Sequence, residues 1–378
     1  MSRIYFDHNA TSPLRPEARQ AFLQALEAGN ASSVHAEGRA ARSLIESARV
    51  ALAATLGTKP DRVVFVSGAT EAANMALQPS EGQFLLIAAG EHACVFAGHG
   101  FAPDRVAQVA LDAQGRLDLD DLREKLAGVA GARPVLALQA VNNETGVIQP
   151  VAEAAEQVHS LGGLLVCDAV QGYGRIDCAF NATGADLVFL SSHKLGGPKG
   201  AGALAAVRRD LLPKALIRGG GQERGFRGGT ENVAAIAGFG AAAAQAELSR
   251  SAETARVADV REILQAGVLE IAPKAAIFSN EAARVGNTLA FALPGLSAET
   301  MVAAFDVEGV ALSSGSACSS GKVTPSHVLA AMGVPPDQAR SALRISLGWT
   351  SRKEEVVRFL EILAKVYERM RRRLETPA

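Results

Sequence analysis

Lys194 stands in Ser191-Ser192-His193-Lys194-Leu195-Gly196-Gly197-Pro198-Lys199-Gly200, where an apolar run gives way to small residues and glycines. Loops at the carboxyl ends of parallel strands are where ligand sites form in α/β proteins. Asp168 closes an earlier apolar run in Leu164-Leu165-Val166-Cys167-Asp168-Ala169-Val170-Gln171. A buried aspartate is costly unless something pairs with it. A pyridoxal phosphate (PLP) site needs this pair of residue types: a lysine for the Schiff base and a carboxylate for the pyridinium nitrogen.

Further segments add to that chemistry. Ser67-Gly68-Ala69-Thr70-Glu71 lies between an apolar run and a helical one, so it reads as an N-cap that can cradle phosphate. His92, in Gly90-Glu91-His92, also follows an apolar run; a ring there can stack on a cofactor and move protons. Asn142-Asn143-Glu144-Thr145-Gly146 reads as a turn. The loop from Gly219 to Asn232 is glycine-rich yet carries Arg224 and Arg227, which is poor core material and suits close approach to a ligand or a second chain. Cys318 sits among serines in Leu312-Ser313-Ser314-Gly315-Ser316-Ala317-Cys318-Ser319-Ser320-Gly321, which suits an exposed nucleophile. Cys94, Cys167 and Cys178 lie in or beside apolar stretches and read as packed thiols. Arg344 is a charge inside an apolar strand, Leu343-Arg344-Ile345, and needs an anion; a substrate carboxylate held bidentately is the natural one.

The elements that must position these residues follow from periodicity. Val63–Val66, Phe84–Ala89, Val106–Leu111, Val135–Val141, Leu164–Val170, Asp186–Ser191 and Ala203–Val207 are continuous apolar runs separated by helix-period stretches. That pattern predicts an α/β fold with a mostly parallel sheet covered on both faces. From about Ser251 a long helix, Ala252–Ile271, leads into a mixed pattern that predicts a smaller α+β domain. The expected division is a large domain over 15–250 and a small domain formed by 1–14 and 251–378, the latter carrying the Cys318 loop.

Composition narrows the function classes. With 38 Lys plus Arg against 39 Asp plus Glu, the net charge of −1 exerts no general pull on nucleic acid or anionic membrane. Aromatics at 5% are too sparse for stacking platforms that bind single strands, and no apolar run reaches the ~18 residues of a membrane span. Neither a nucleic-acid nor a membrane partner is therefore expected. The four cysteines show no paired spacing and the start no secretory pattern, so the expected compartment is the reducing cytoplasm. No metal-ligand spacing stands out.

Taken in order, these motifs resemble the PLP-dependent cysteine desulfurases, the NifS/IscS-like members of the class V aminotransferase family that supply sulfur for iron–sulfur cluster assembly. The resemblance also covers Tyr5-Phe6-Asp7-His8-Asn9-Ala10-Thr11 and Gly29-Asn30-Ala31-Ser32-Ser33-Val34-His35. It implies the fold-type I PLP architecture and a homodimer. By match, Lys194 bonds the cofactor, Asp168 holds its ring nitrogen and His92 stacks on the ring. Gln171 and Asn143 lie at its oxygen edge. Ala69, Thr70, Ser191 and His193 take the phosphate, and Thr230 reaches the phosphate of the other subunit. Arg344, with Asn30 and Asn143, receives the substrate carboxylate, and Cys318 takes the sulfur, with transient contact to iron–sulfur species as its only implied link to metal. The implied substrate is L-cysteine, and the implied partner a sulfur-acceptor or scaffold protein. A selenocysteine lyase, another class V aminotransferase and a non-enzymatic PLP-holding adaptor are the competing readings; a transaminase has no use for Cys318.

Overall fold

The computed structural model describes residues 3–129, 131–315, 318–319, 322–323 and 326–375; of 318–319, 322–323 and 373–375 it describes the backbone alone. In chain order its strands are β1 (Ile4–Tyr5), β2 (Val63–Val66), β3 (Gln83–Ala88), β4 (Val106–Val109), β5 (Arg133–Gln139), β6 (Leu164–Asp168), β7 (Leu187–Ser191), β8 (Gly202–Ala206), β9 (Ala276–Ile277), β10 (Thr288–Ala292), β11 (Val310–Ala311), β12 (Ser313–Ser314), β13 (Cys318–Ser319), β14 (Lys322–Val323) and β15 (Ala342–Ser346).

Seven of them form one sheet in the order β2-β8-β7-β6-β5-β3-β4. All neighbours pair in parallel except β8, which runs antiparallel to both β7 and β2. The uninterrupted apolar strands have a simple origin. Successive side chains point to opposite faces, and both faces are covered. Val63 and Phe65 join one core with Leu86, Leu136, Leu165 and Val188. Val64 and Val66 join another with Leu85, Val135, Val166 and Leu187. The first core lies under the helices Ala36–Leu56 and Val151–His159, the second under Ala69–Ala76.

Because β8 alone is reversed, β2, β3, β5, β6 and β7 all end on one edge of the sheet. Each predicted strand in this sheet is present, with ends shifted by a few residues. Val106–Leu111, for example, stops at Val109, because chain ends fray where the ladder runs out of partners.

The second sheet is four-stranded and antiparallel, β12-β15-β10-β9, over a separate core containing Leu289, Phe291, Leu343, Ile345 and Phe359. The amino-terminal strand belongs to this core. β1 pairs in parallel with β11, and Ile4 and Phe6 are fully buried there.

One helix, Val233–Ile271, serves two of these cores, the one under Ala36–Leu56 and the one under the four-stranded sheet. The sequence pattern places the start of this helix at Ala252, with a change of pattern from about Ser251. The structure carries the helix straight through, so residues 250 and 251 lie inside it. Its two halves differ in packing. Ala234 to Ala246 is buried nearly all round, whereas Val257, Val260, Leu264 and Val268 form a single stripe. At Gly240 a Cβ would stand 2.6 Å from Ala48 Cβ, so the close crossing with Ala36–Leu56 requires glycine.

Candidate active site

The predicted site residues converge because five strand ends share one edge. Ser67 to Thr70 follow β2, Glu91 and His92 follow β3, Asn142 and Asn143 follow β5, Asp168 ends β6, and Ser191 ends β7 with Ser192 to Lys194 directly after it. They surround a cavity of ≈ 880 Å³ whose wall includes Thr70, His92, Asp168, Gln171, Lys194 and Arg344. Ala69, Asn143, Ser191 and His193 are on the same wall.

Lys194 closes the 3₁₀ turn Ser192–Lys194. Its Nζ donates to the carbonyls of Asn9 at 2.7 Å and Ala10 at 2.8 Å. Burial, helped by the positive charges of Arg344 and Arg175, lowers its pKa to about 8. That favours a lysine that can shed its proton and act as a nucleophile. Asp168 is buried, and its Oδ1 accepts from the Val170 N–H at 2.8 Å. Burial lifts its pKa to about 6, while that N–H bond and Lys194 hold it down.

Asp168 is not alone. Glu91 is wholly buried nearby; its Oε1 accepts from the Gln139 N–H, and its Oε2 has no hydrogen-bond partner among the described residues. Burial, and then the charge of Asp168, push the Glu91 pKa well above its ordinary value.

His92 caps the short helix Ala93–Phe96, its Nδ1 accepting from the Cys94 N–H at 3.1 Å. That assigns the ring proton to Nε2. Burial, then Lys194 and His327, lower its pKa, so the ring is neutral. Gln171 Nε2 donates to the Asn9 carbonyl at 2.9 Å, and its Oε1 accepts from Arg175. His193 pairs with Thr11 Oγ1 at 3.1 Å, and burial, then Lys194, lower its pKa to about 4.

The helix start that faces the cavity is built by small residues. The helix Ala69–Ala76 begins beside Gly68, where a Cβ would meet open space, and across from Gly202, where a Cβ would strike the Gly68 backbone at 2.7 Å. Ser67, Gly68, Ala69 and Thr70 all reach the cavity wall at this helix start, where the dipole favours an anion.

Two predicted residues lie elsewhere. Asn30 is exposed and uses its Oδ1 to accept from the Ser32 N–H at 2.9 Å, away from Arg344's cavity. Thr230 is exposed and off the same wall. Their neighbours Ala31, Ser32, Gly220, Gly221 and Glu231 instead line a second cavity of ≈ 490 Å³. The glycine loop beside it is firmly held. Glu223, with φ +47°, makes a buried two-point ion pair to Arg49 at 2.7 and 2.8 Å and accepts from the Phe65 N–H at 2.8 Å. Arg227 binds Glu71 at 3.0 Å.

Cys318 lies in β13, paired with Val323 of β14; its side chain falls outside the described residues. Cys94 departs from the expectation of a packed thiol. It is half-buried on the cavity wall, because it sits in the first turn after His92. Burial, then Asp168 and Glu91, push its pKa up to about 12, so it remains a thiol. Cys167 and Cys178 are buried as expected.

Periodicity gave no hint of the part played by Asn9. Its carbonyl accepts from Lys194 and Gln171, and its Nδ2 donates to the Asn143 carbonyl and Thr288 Oγ1. The signal available was a polar residue in a short apolar amino-terminal segment, with nothing to say where that segment docks.

The comparisons with known proteins agree with this geometry. The family described as Aminotransferase class-V matches residues 4–359. A protein named cysteine desulfurase from Cereibacter sphaeroides is 38% identical, with 98% of this chain and 97% of that one aligned. A solved NifS-like protein from Rickettsia africae superposes with a TM-score of 0.90 at 33% identity, over 97% of this chain and 99% of that one. A structure described as SspA in complex with cysteine gives 0.77 at 29% identity, over 91% and 99%. The chain belongs to the class V aminotransferase family.

Proposed function

We propose that this protein is a PLP-dependent cysteine desulfurase, converting L-cysteine to L-alanine and retaining the sulfur as a persulfide. The observation that carries the reading is the cavity that joins Lys194, Asp168, His92 and Arg344 on one wall, in a chain alike over nearly its whole length to a named cysteine desulfurase. PLP fits the residues present. A half-buried lysine of lowered pKa shares the cavity with a buried carboxylate, and a helix start free of large side chains stands ready for the phosphate.

Bound there, the pyridine ring would supply an electron sink for the charge left at the substrate Cα. Asp168 would hold the ring nitrogen, and His92 would cover the ring face. Ala69, Thr70, Ser191 and His193 would take the phosphate, with Gln171 and Asn143 at the oxygen edge. Lys194 would carry the cofactor at rest and, once released, move the Cα proton. Arg344 would hold the substrate carboxylate. Cys318, assigned from the sequence, would attack the substrate sulfur as a thiolate. The S–S bond forms, the Cβ–S bond breaks with its electron pair on carbon, and protonation of that carbon, with a proton returned to Cα by Lys194, would complete alanine.

The same reading makes the protein a homodimer with shared sites. Asn30 and Thr230 lie off their own cavity and beside a second one on the anchored glycine loop, where they would complete the partner's site. Light scattering should give twice the chain mass, and Thr230→Ala should weaken PLP binding about tenfold, roughly 1.4 kcal/mol. A monomer with full PLP occupancy would refute the shared site. The free thiols of Cys94, Cys167 and Cys178 support a reducing cytoplasmic setting. The sulfur would pass to an acceptor or scaffold protein of iron–sulfur assembly.

Incubation with L-cysteine tests the whole reading. Alanine and protein persulfide should appear one for one in the first turnover, with sulfide following when a thiol reductant is present. Pyruvate or a keto acid in place of alanine would point to lyase or transaminase chemistry.

A further inference from the structure

Arg344 has a partner that the reaction outlined above does not use. It sits in β15 between β12 and β10 and is 8% exposed. A buried guanidinium needs a counter-charge. This chain supplies one: Arg344 Nη2 donates to Asp7 Oδ1 at 2.8 Å. Nη1 donates to the Asn143 carbonyl at 3.1 Å, and Nε is buried with no partner among the described residues. Arg344 and Asn143 stand on the cavity wall, whereas Asp7 does not. Asp7 is itself fixed from several directions. It bridges to Ser346 of β15, and its carbonyl accepts from the Ala10 N–H at 3.1 Å and the Tyr5 hydroxyl at 3.2 Å.

We propose that Asp7 is a resident counter-carboxylate that pins the Arg344 fork from behind and tempers its hold on the substrate carboxylate. Asp7 is thus a positioning residue that sets affinity, an inference that rests on Arg344 receiving that carboxylate. The reason is chemical. Cysteine and alanine carry the same carboxylate, so an unopposed buried arginine would grip product as firmly as substrate. Binding both alike lowers KM without raising kcat, and it slows release. A second negative charge on the same guanidinium weakens both equally, while the hydrogen bond to Asp7 keeps the fork aimed between turnovers.

Asp7→Asn separates charge from geometry, because an amide oxygen can still accept from Nη2. Dissociation constants of the holoenzyme for L-alanine and propionate are measured by calorimetry, and for cysteamine, which lacks a carboxylate, by spectral titration. Asp7→Asn should tighten L-alanine and propionate about tenfold, roughly 1.4 kcal/mol, and leave cysteamine unchanged. The visible band, read on the same samples, should match the wild type, and the thermal midpoint, lowered by loss of the counter-charge, should stay well above the assay temperature. If Asp7→Asn does not yield folded holoenzyme, Asp7→Ser takes its place with the same expected tightening. Unchanged or weaker carboxylate binding in the folded variant overturns the proposal. Arg344→Leu distinguishes the two layers. If it leaves L-alanine binding intact, the carboxylate role of Arg344 is wrong; if it abolishes that binding while Asp7→Asn tightens nothing, only the role of Asp7 fails.

Discussion

Cys318→Ala should keep the cofactor colour, still change its spectrum when L-cysteine is added, and form no protein persulfide. Desulfuration of cysteine should fall by on the order of a thousandfold, about 4 kcal/mol in the barrier. The cavity groups can bind cysteine and loosen its Cα proton, but the one thiol among those described on its wall, Cys94, is held protonated and is no thiolate to take sulfur. The three described cysteines do not substitute. Burial pushes Cys94 and Cys178 up to about 12 and Cys167 above its ordinary value, so all three stay protonated near neutral pH. Alanine changes at those three positions should therefore spare persulfide formation, at most loosening packing at Cys167 and Cys178. Mass spectrometry after a single turnover reads the outcome. A wild-type rate in Cys318→Ala would end the desulfurase mechanism and favour a lyase or transaminase.

Lys194→Ala should abolish the visible absorption band of the wild type and reduce cysteine turnover by more than about a thousandfold. Lys194 is half-buried behind the amino-terminal segment, held by two carbonyls, and its pKa is lowered to about 8. Lys199 also reaches the cavity wall but is exposed at its rim, which makes it the control. Borohydride reduction followed by peptide mapping should place the cofactor on Lys194. Recovery of the label on Lys199, with the band intact in Lys194→Ala, would overturn the assignment.

Much of this was legible before any fold was known, for a local reason. Continuous apolar runs ending in small polar residues declare both a sheet covered on two faces and the strand ends where a site can form. Lys194, Asp168, His92 and Thr70 each announce themselves by standing at such an end. The helix expected to begin at Ala252 in fact begins at Val233, because its first half packs on nearly every face and so shows no helical stripe.

The sequence by itself determined the α/β class, the strand ends and the residue types that handle a carbonyl cofactor and sulfur. Only the tertiary structure decided the relations between distant segments. It brought Asn9 onto Lys194 and Gln171, set Asp7 behind Arg344 across 337 positions, buried Glu91 beside Asp168, and left Asn30 and Thr230 outside their own cavity. Periodicity reports which way a side chain faces within its own element. It carries no information on which element will lie opposite, because that is settled by how the two cores close around one helix.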